Sequence, residues 1–123
     1  MSIIQAPESA THEIGATRFT SLATPSRGST ETAVWQVEIE AGAPATPHSL
    51  TREEVFVVLD GTASVRIGSV AGLAHEGDAI VVPADTQFEL SNGGDNALRL
   101  LCCLPVGGQA RLDGATFTPP WAE

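Results

Sequence analysis

The sequence contains no lysine and no tyrosine, only one methionine, and two cysteines. Without lysine there is no Schiff-base chemistry, no lysine general base and no phosphate loop ending in Gly-Lys-Ser/Thr. Without tyrosine a common general acid is missing. Cations are scarce: six arginines stand against 15 Asp and Glu, for a net charge of −9. Nucleic-acid phosphates need a basic face, so that class of partner is excluded. Cys102 and Cys103 are adjacent and cannot close a useful loop, which excludes a disulfide scaffold. They read as small core residues. No apolar run approaches the ~20 residues of a spanning helix. Met1 to Ala10 has no cationic segment followed by a long apolar one. The expectation is a cytoplasmic protein without a membrane partner.

Length and punctuation indicate the architecture. The 123 residues suit one domain. Twelve Gly and eight Pro are spread along the chain and separate short apolar runs, an all-β signature. The predicted strands are 18–22, 32–40, 54–60, 62–67, 79–82, 88–90 and 97–104. Turns are expected at 42–47, 60–61, 68–72, 75–78, 83–86 and 91–96. From Val34 to Glu40, Trp35, Val37 and Ile39 alternate with Gln36, Glu38 and Glu40, so one face is buried and one wet. Val55–Leu59 is apolar at every position, as in a strand covered on both faces, with a second layer or subunit outside. No window carries a helical stripe. The result is a closed barrel or sandwich over residues 1–123, with an N-terminal arm at 1–17 and a C-terminal arm at 107–123. Phe117 and Trp121 suggest that the latter arm packs across the barrel.

Two groups of residues fall at fixed offsets. Gly42, His48, Glu54 and Gly61 form the first; Gly77, Pro83 and Asn92 form the second. Together they resemble the two motifs of the cupin family, whose fold is a small jelly-roll barrel, the double-stranded β-helix. Family members that bind metal use three His and one Glu. Here the second histidine position holds Leu50 and the third holds Phe88, while the glycine of the second motif is Asp85. What the resemblance implies is therefore a reduced metal site, His48 and Glu54 alone, holding at most a weakly bound divalent metal. A catalytic divalent site usually has three protein ligands and an open position. No cofactor is otherwise expected.

Replacing two polar ligands by Leu50 and Phe88 makes the expected pocket apolar, and an apolar concavity with a few polar groups suits a small molecule. Candidate ligand contacts are His48, Leu50, Glu54, Phe56, Val58, Phe88 and Trp35. Phe56 and Val58 share Glu54's face by period two, and Trp35 also reads as core. Glu54 needs a partner, because an unpaired buried carboxylate is costly; His48, Arg52 or a ligand would serve. Arg66 and Arg99 read as outward charges, and Asn92 as a turn former.

The leading reading is a small-molecule-binding cupin acting as a homodimer through the Val55, Val57 and Leu59 face. The alternative is a cupin-type enzyme (isomerase, lyase, cyclase or dioxygenase) with His48 and Glu54 as catalytic groups. A third class is a structural or regulatory module working through a dimer surface. A helix-turn-helix would not fit in the remaining residues.

Overall fold

The alternation in the segment around Trp35 produces a strand with Ala33, Trp35 and Val37 buried, β3 (Thr32–Ile39). In the computed structural model, which describes residues 1–123, eleven further strands surround it. They are β1 (His12–Ile14), β2 (Thr17–Ala23), β4 (Ser49–Leu50), β5 (Glu54–Asp60), β6 (Ala63–Ile67), β7 (Val70–Ala74), β8 (Ala79–Val82), β9 (Phe88–Asn92), β10 (Leu98–Pro105), β11 (Ala110–Leu112) and β12 (Ala115–Phe117). Two single 3-10 turns, Pro25–Arg27 and Pro120–Ala122, complete the chain. No helix is long and apolar enough to cross a membrane.

One layer is the six-stranded sheet β1-β2-β3-β10-β5-β8. The facing layer consists of β12-β11-β4 and β7-β6-β9, joined by a bridge between His48 and Phe88. All named pairings are antiparallel. Inward residues of both layers form one core of 17 buried apolar side chains, among them Trp35, Leu50, Phe56, Val58, Phe88, Leu98 and Cys102. This is the two-layer barrel that the strand pattern implied.

Outward positions of the large sheet form a charge ladder. Glu13 lies opposite Arg18, Arg18 opposite Glu38, Glu38 opposite Arg99, and Arg99 opposite Asp60. Opposite charges facing across strands stabilise a sheet modestly. Arg66 and Arg99 are exposed, as expected of outer-face residues.

Several elements differ from the sequence reading. Val70–Gly72, expected within a turn, belongs to β7; the turn is confined to Gly68 and Ser69. Residues 12–17, assigned to the N-terminal arm, already contain β1 and the start of β2. The C-terminal arm holds the hairpin β11–β12, turned by Asp113 and Gly114, both at positive φ (51° and 79°). Asp-Gly with both residues left-handed is a favoured two-residue hairpin turn. The rest of the arm crosses to the large sheet. Trp121 stacks on Phe19 with ring centroids 3.7 Å apart and planes 9° from parallel. The Ser21 hydroxyl donates to the Trp121 carbonyl at 2.7 Å. Val55, Val57 and Leu59 are half-buried within the single chain.

Candidate functional site

His48 is held by backbone on one side and by an aromatic ring on the other. Its N–H donates to the Phe88 carbonyl (3.1 Å) and the Phe88 N–H donates to its carbonyl (2.9 Å). Its ring lies 4.4 Å from the Phe88 ring, tilted by 49°. Nδ1 is 2.8 Å from the Thr46 carbonyl. A carbonyl only accepts, so Nδ1 carries the proton; in the neutral imidazole this leaves Nε2 as an acceptor. The ring is half-buried.

Two residues on, Leu50 points into the core and is 2% exposed. It is flanked by β11, where Ala110 is its Cα partner. The loop before β9 closes onto it, with the Asp85 N–H donating to the Leu50 carbonyl at 2.7 Å. Asp85 adopts φ 58°, the left-handed conformation that the family's glycine supplies and that Asp tolerates better than most residues. Its carboxylate pairs with Arg111 of β11. The hairpin thus lies beside the segment that follows His48. Sequence reading missed this neighbour; Asp113-Gly114 between two short runs was the signal that would have found it.

Glu54 opens β5, opposite Val82 of β8. It is 4% exposed, and its carboxyl makes neither an ion pair nor a side-chain hydrogen bond. The expected protein partners do not meet it: neither His48 nor Arg52 lies within ion-pair distance of its carboxyl. Burial alone pushes the Glu54 carboxyl up from 4.5 to about 8. At neutral pH the group is then largely protonated and able to donate. Burial also pushes the Cys102 thiol well up, with the Glu54 charge adding to the effect. A thiol so disfavoured as thiolate is poorly reactive, in keeping with a core role.

The remaining candidates divide by distance along the strands. Phe56 lies on the inward face of β5 with its ring 5.9 Å from that of Phe88, so His48, Phe88 and Phe56 form a row. Val58 is four residues from Glu54, ~13 Å along the strand at ~3.3 Å per residue, and is 1% exposed. Trp35 lies on β3, separated from β5 by β10, and is 2% exposed. Val58 sits deeper along the strand, whereas Trp35 lies level with Phe56, two strands across. Leu50 and Phe88 are packed side chains of the same core. Asn92 acts as a turn staple: its Nδ2 donates to the carbonyls of Ile39 (2.9 Å) and Asn96 (2.7 Å), and its Oδ1 accepts from the Gly94 N–H (2.9 Å).

The donor set does not fit the metal that the fold is known for. No group of three or more His, Cys, Asp or Glu side chains converges anywhere in the chain. Leu50 and Phe88 present only carbon where two further imidazoles would be needed.

A two-layer antiparallel jelly roll with a histidine just before β4 and a glutamate at the start of β5 defines the cupin class of barrel. A family model described as a cupin domain matches residues 35–104, more than half of the chain, and the chain belongs to that family. Solved structures agree on the fold. KdgF from a Halomonas species is 20% identical, covering 86% of this chain and 89% of its own, with a TM-score of 0.68. An RmlC-like cupin from Shewanella frigidimarina is 16% identical over 83% of each chain, with a TM-score of 0.66. Salicylate 1,2-dioxygenase from Pseudoaminobacter salicylatoxidans, solved with gentisate, is 14% identical, covering 87% of this chain and 31% of that one, with a TM-score of 0.70. Comparison with curated proteins finds no match.

Proposed function

We propose that this cupin binds a small, largely apolar molecule at the His48 end of its barrel, without a resident metal, as a cytoplasmic homodimer. The observation that carries the reading is Glu54, a carboxyl buried to 4% exposure with no partner in its own chain. The carboxyl is not sealed off, since the only fully enclosed side-chain polar atom without a partner is the Ser29 hydroxyl; a ligand polar atom would take the place of water on Glu54. Protonated Glu54 would donate to a ligand carbonyl or hydroxyl, and His48 Nε2 would accept. The apolar body would lie against Phe88, Phe56 and Leu50, displacing side chains that fill this end of the barrel in the free protein. Binding would leave Val58 and Trp35 as support.

The test is a metabolite screen by thermal shift and ligand-observed NMR. Compounds that raise the melting temperature should lose their effect in E54Q and H48A. Binders whose shift survives both substitutions would place the site elsewhere and overturn the reading.

A catalytic role is favoured by one feature: a carboxyl at about 8 can exchange a proton near neutral pH, within the range useful to a general acid. Turnover of a screened binder, abolished by E54Q with binding retained, would establish it.

A further inference from the structure

The two seams of the barrel are finished differently. At the seam where β1 and β12 end the layers, the C-terminal arm crosses over and Trp121 stacks on Phe19. At the opposite seam, where β7 and β8 end the layers, the link His75–Asp78 crosses at one end. A groove of about 440 Å³ remains there, lined among others by Ile67, Val70, Leu73, Ala74, Ile80 and Val81. Val70, Leu73 and Val81 are 72%, 60% and 51% exposed. β7 is an edge strand whose outer backbone groups have no partner in the chain. Proteins ordinarily blunt such an edge with charge, proline or a bulge. The sequence of β7, Val-Ala-Gly-Leu-Ala, has none of these.

We propose that β7 is the contact of the homodimer, pairing antiparallel with β7 of a second copy about a two-fold axis at Gly72. The proposal names the surface for the dimer put forward above. Three features of the strand suit it to itself. First, the two-fold sets Gly72 against Gly72, and a Cβ there would meet nothing within 4 Å, so nothing bars close approach. Second, it sets Val70 against the other copy's Ala74. Val70, Gly72 and Ala74 share the inward face, since their partners on β6 are Ile67, Val65 and the buried Ala63. Each copy's exposed Val70 therefore falls on the groove side of the other. Third, residues 68–74 carry no charge in a chain of net charge −9. Along this strip two such chains meet with no like charges directly opposed, the nearest carboxylate in the groove being Asp78. The joined sheet would run β9-β6-β7-β7-β6-β9, a form of strand addition, and an isologous contact closes the assembly at two.

The size of the surface sets its strength. Eleven residues line the groove, against roughly 20–30 a side in a standard interface. The dimer should be weak, with dissociation constants on the order of 10–100 µM. It should tighten with added salt, which screens the repulsion between the two acidic chains.

Sedimentation of the wild type at 10–300 µM, in 50 mM and 500 mM NaCl, tests this. V70E/L73E should weaken association at least tenfold with its circular dichroism unchanged. A second arm does not depend on a charge change. Directly opposed Cα atoms lie about 4.5–5.5 Å apart in an antiparallel pair, within disulfide range. G72C in a C103S background should therefore form a cross-linked dimer under mild oxidation, whereas V57C in the same background should not. A dimer that persists in V70E/L73E, or cross-linking by V57C in place of G72C, would overturn this surface and leave the homodimer standing. A wild-type monomer at 300 µM in high salt would overturn both. Neither result bears on ligand binding at Glu54.

Discussion

His48 and Phe88 are paired twice: their backbones exchange two hydrogen bonds, and their rings lie 4.4 Å apart. In the cupin pattern both positions belong to histidine; here only His48 offers a donor. Restoring donors should therefore restore a site. L50H/F88H would add two imidazoles to His48 and Glu54. Calorimetric titration with Zn or Ni should show at least a hundredfold gain in affinity over the wild type, since three protein ligands are the minimum for a firm divalent site. An unchanged titration in a folded double variant would mean that the mouth is not shaped to bring these side chains together.

Glu54 makes stability depend on pH in an unusual direction. Its folded value, about 8, lies above the ordinary 4.5. Below pH 4.5 both folded and unfolded chains hold the proton. Between 4.5 and about 8 the unfolded chain releases it while the folded chain keeps it, so this group's contribution falls as pH rises. Above 8 both are ionised and the slope disappears. At 1.36 kcal/mol per pH unit the loss is on the order of 5 kcal/mol. E54Q does not titrate. Urea unfolding of wild type and E54Q from pH 5 to 8.5 should show the variant gaining steadily on the wild type with rising pH. Parallel profiles would show that the carboxyl is hydrated or paired in solution.

The C-terminal arm closes one seam through few contacts, which makes it easy to test. W121A removes the stack on Phe19, and an aromatic pair contributes about 0.5–1.5 kcal/mol beyond its buried area. With the lost burial of a half-covered ring, the expected cost is about 2–3 kcal/mol. Removing residues after Gly114 should cost more, because it also takes the β12 partner of β11 and the bond from the Ser26 hydroxyl to the Glu123 carbonyl. Melting temperatures of wild type, W121A and the truncated chain should fall in that order. A truncated chain as stable as the wild type would mean that the arm is not needed to close the seam.

The strands easiest to read were those whose chemistry is local. β8 begins and ends where its apolar run does, β5 extends its run by one charged residue at each end, and β3 follows its period of two. The missed elements lack that signal. β4 has two residues, and its partner arrives from β11 some 60 positions later. β7 contains Gly and Ala in three of five places, and its neighbour Gly68 suggested a turn. The site shows the same division. The inward face shared by Glu54, Phe56 and Val58 follows from alternation. The separation of Glu54 from His48 does not, because it depends on how the irregular segment before β4 holds the imidazole, whose Nδ1 donates to the Thr46 carbonyl. Nor could the filling of the barrel end by Leu50 and Phe88 be read from their apolar character, which suits a pocket wall and a core equally well.

Two motif glycines separate conformation from contact. Gly42 and Gly61 both sit at positive φ, 79° and 89°. A side chain in that region costs about 1–2 kcal/mol in either place. A Cβ on Gly42 would meet nothing within 4 Å, so G42A should cost about 1 kcal/mol. A Cβ on Gly61 would lie 2.9 Å from the Ala97 carbonyl oxygen and 3.2 Å from the Leu98 Cα, both backbone atoms. Backbone cannot rotate aside as a side chain does, so β10 would have to shift at its first residue. There Leu98 is fully buried, and the pairing with β5 already slips between Arg99 and Leu100. G61A should therefore cost about 3 kcal/mol or more, well beyond the conformational share. Chemical unfolding of the two variants under the same conditions supplies the comparison. Equal losses would mean that the turn after β5 gives way and that the closing glycine of the first motif is a matter of φ alone.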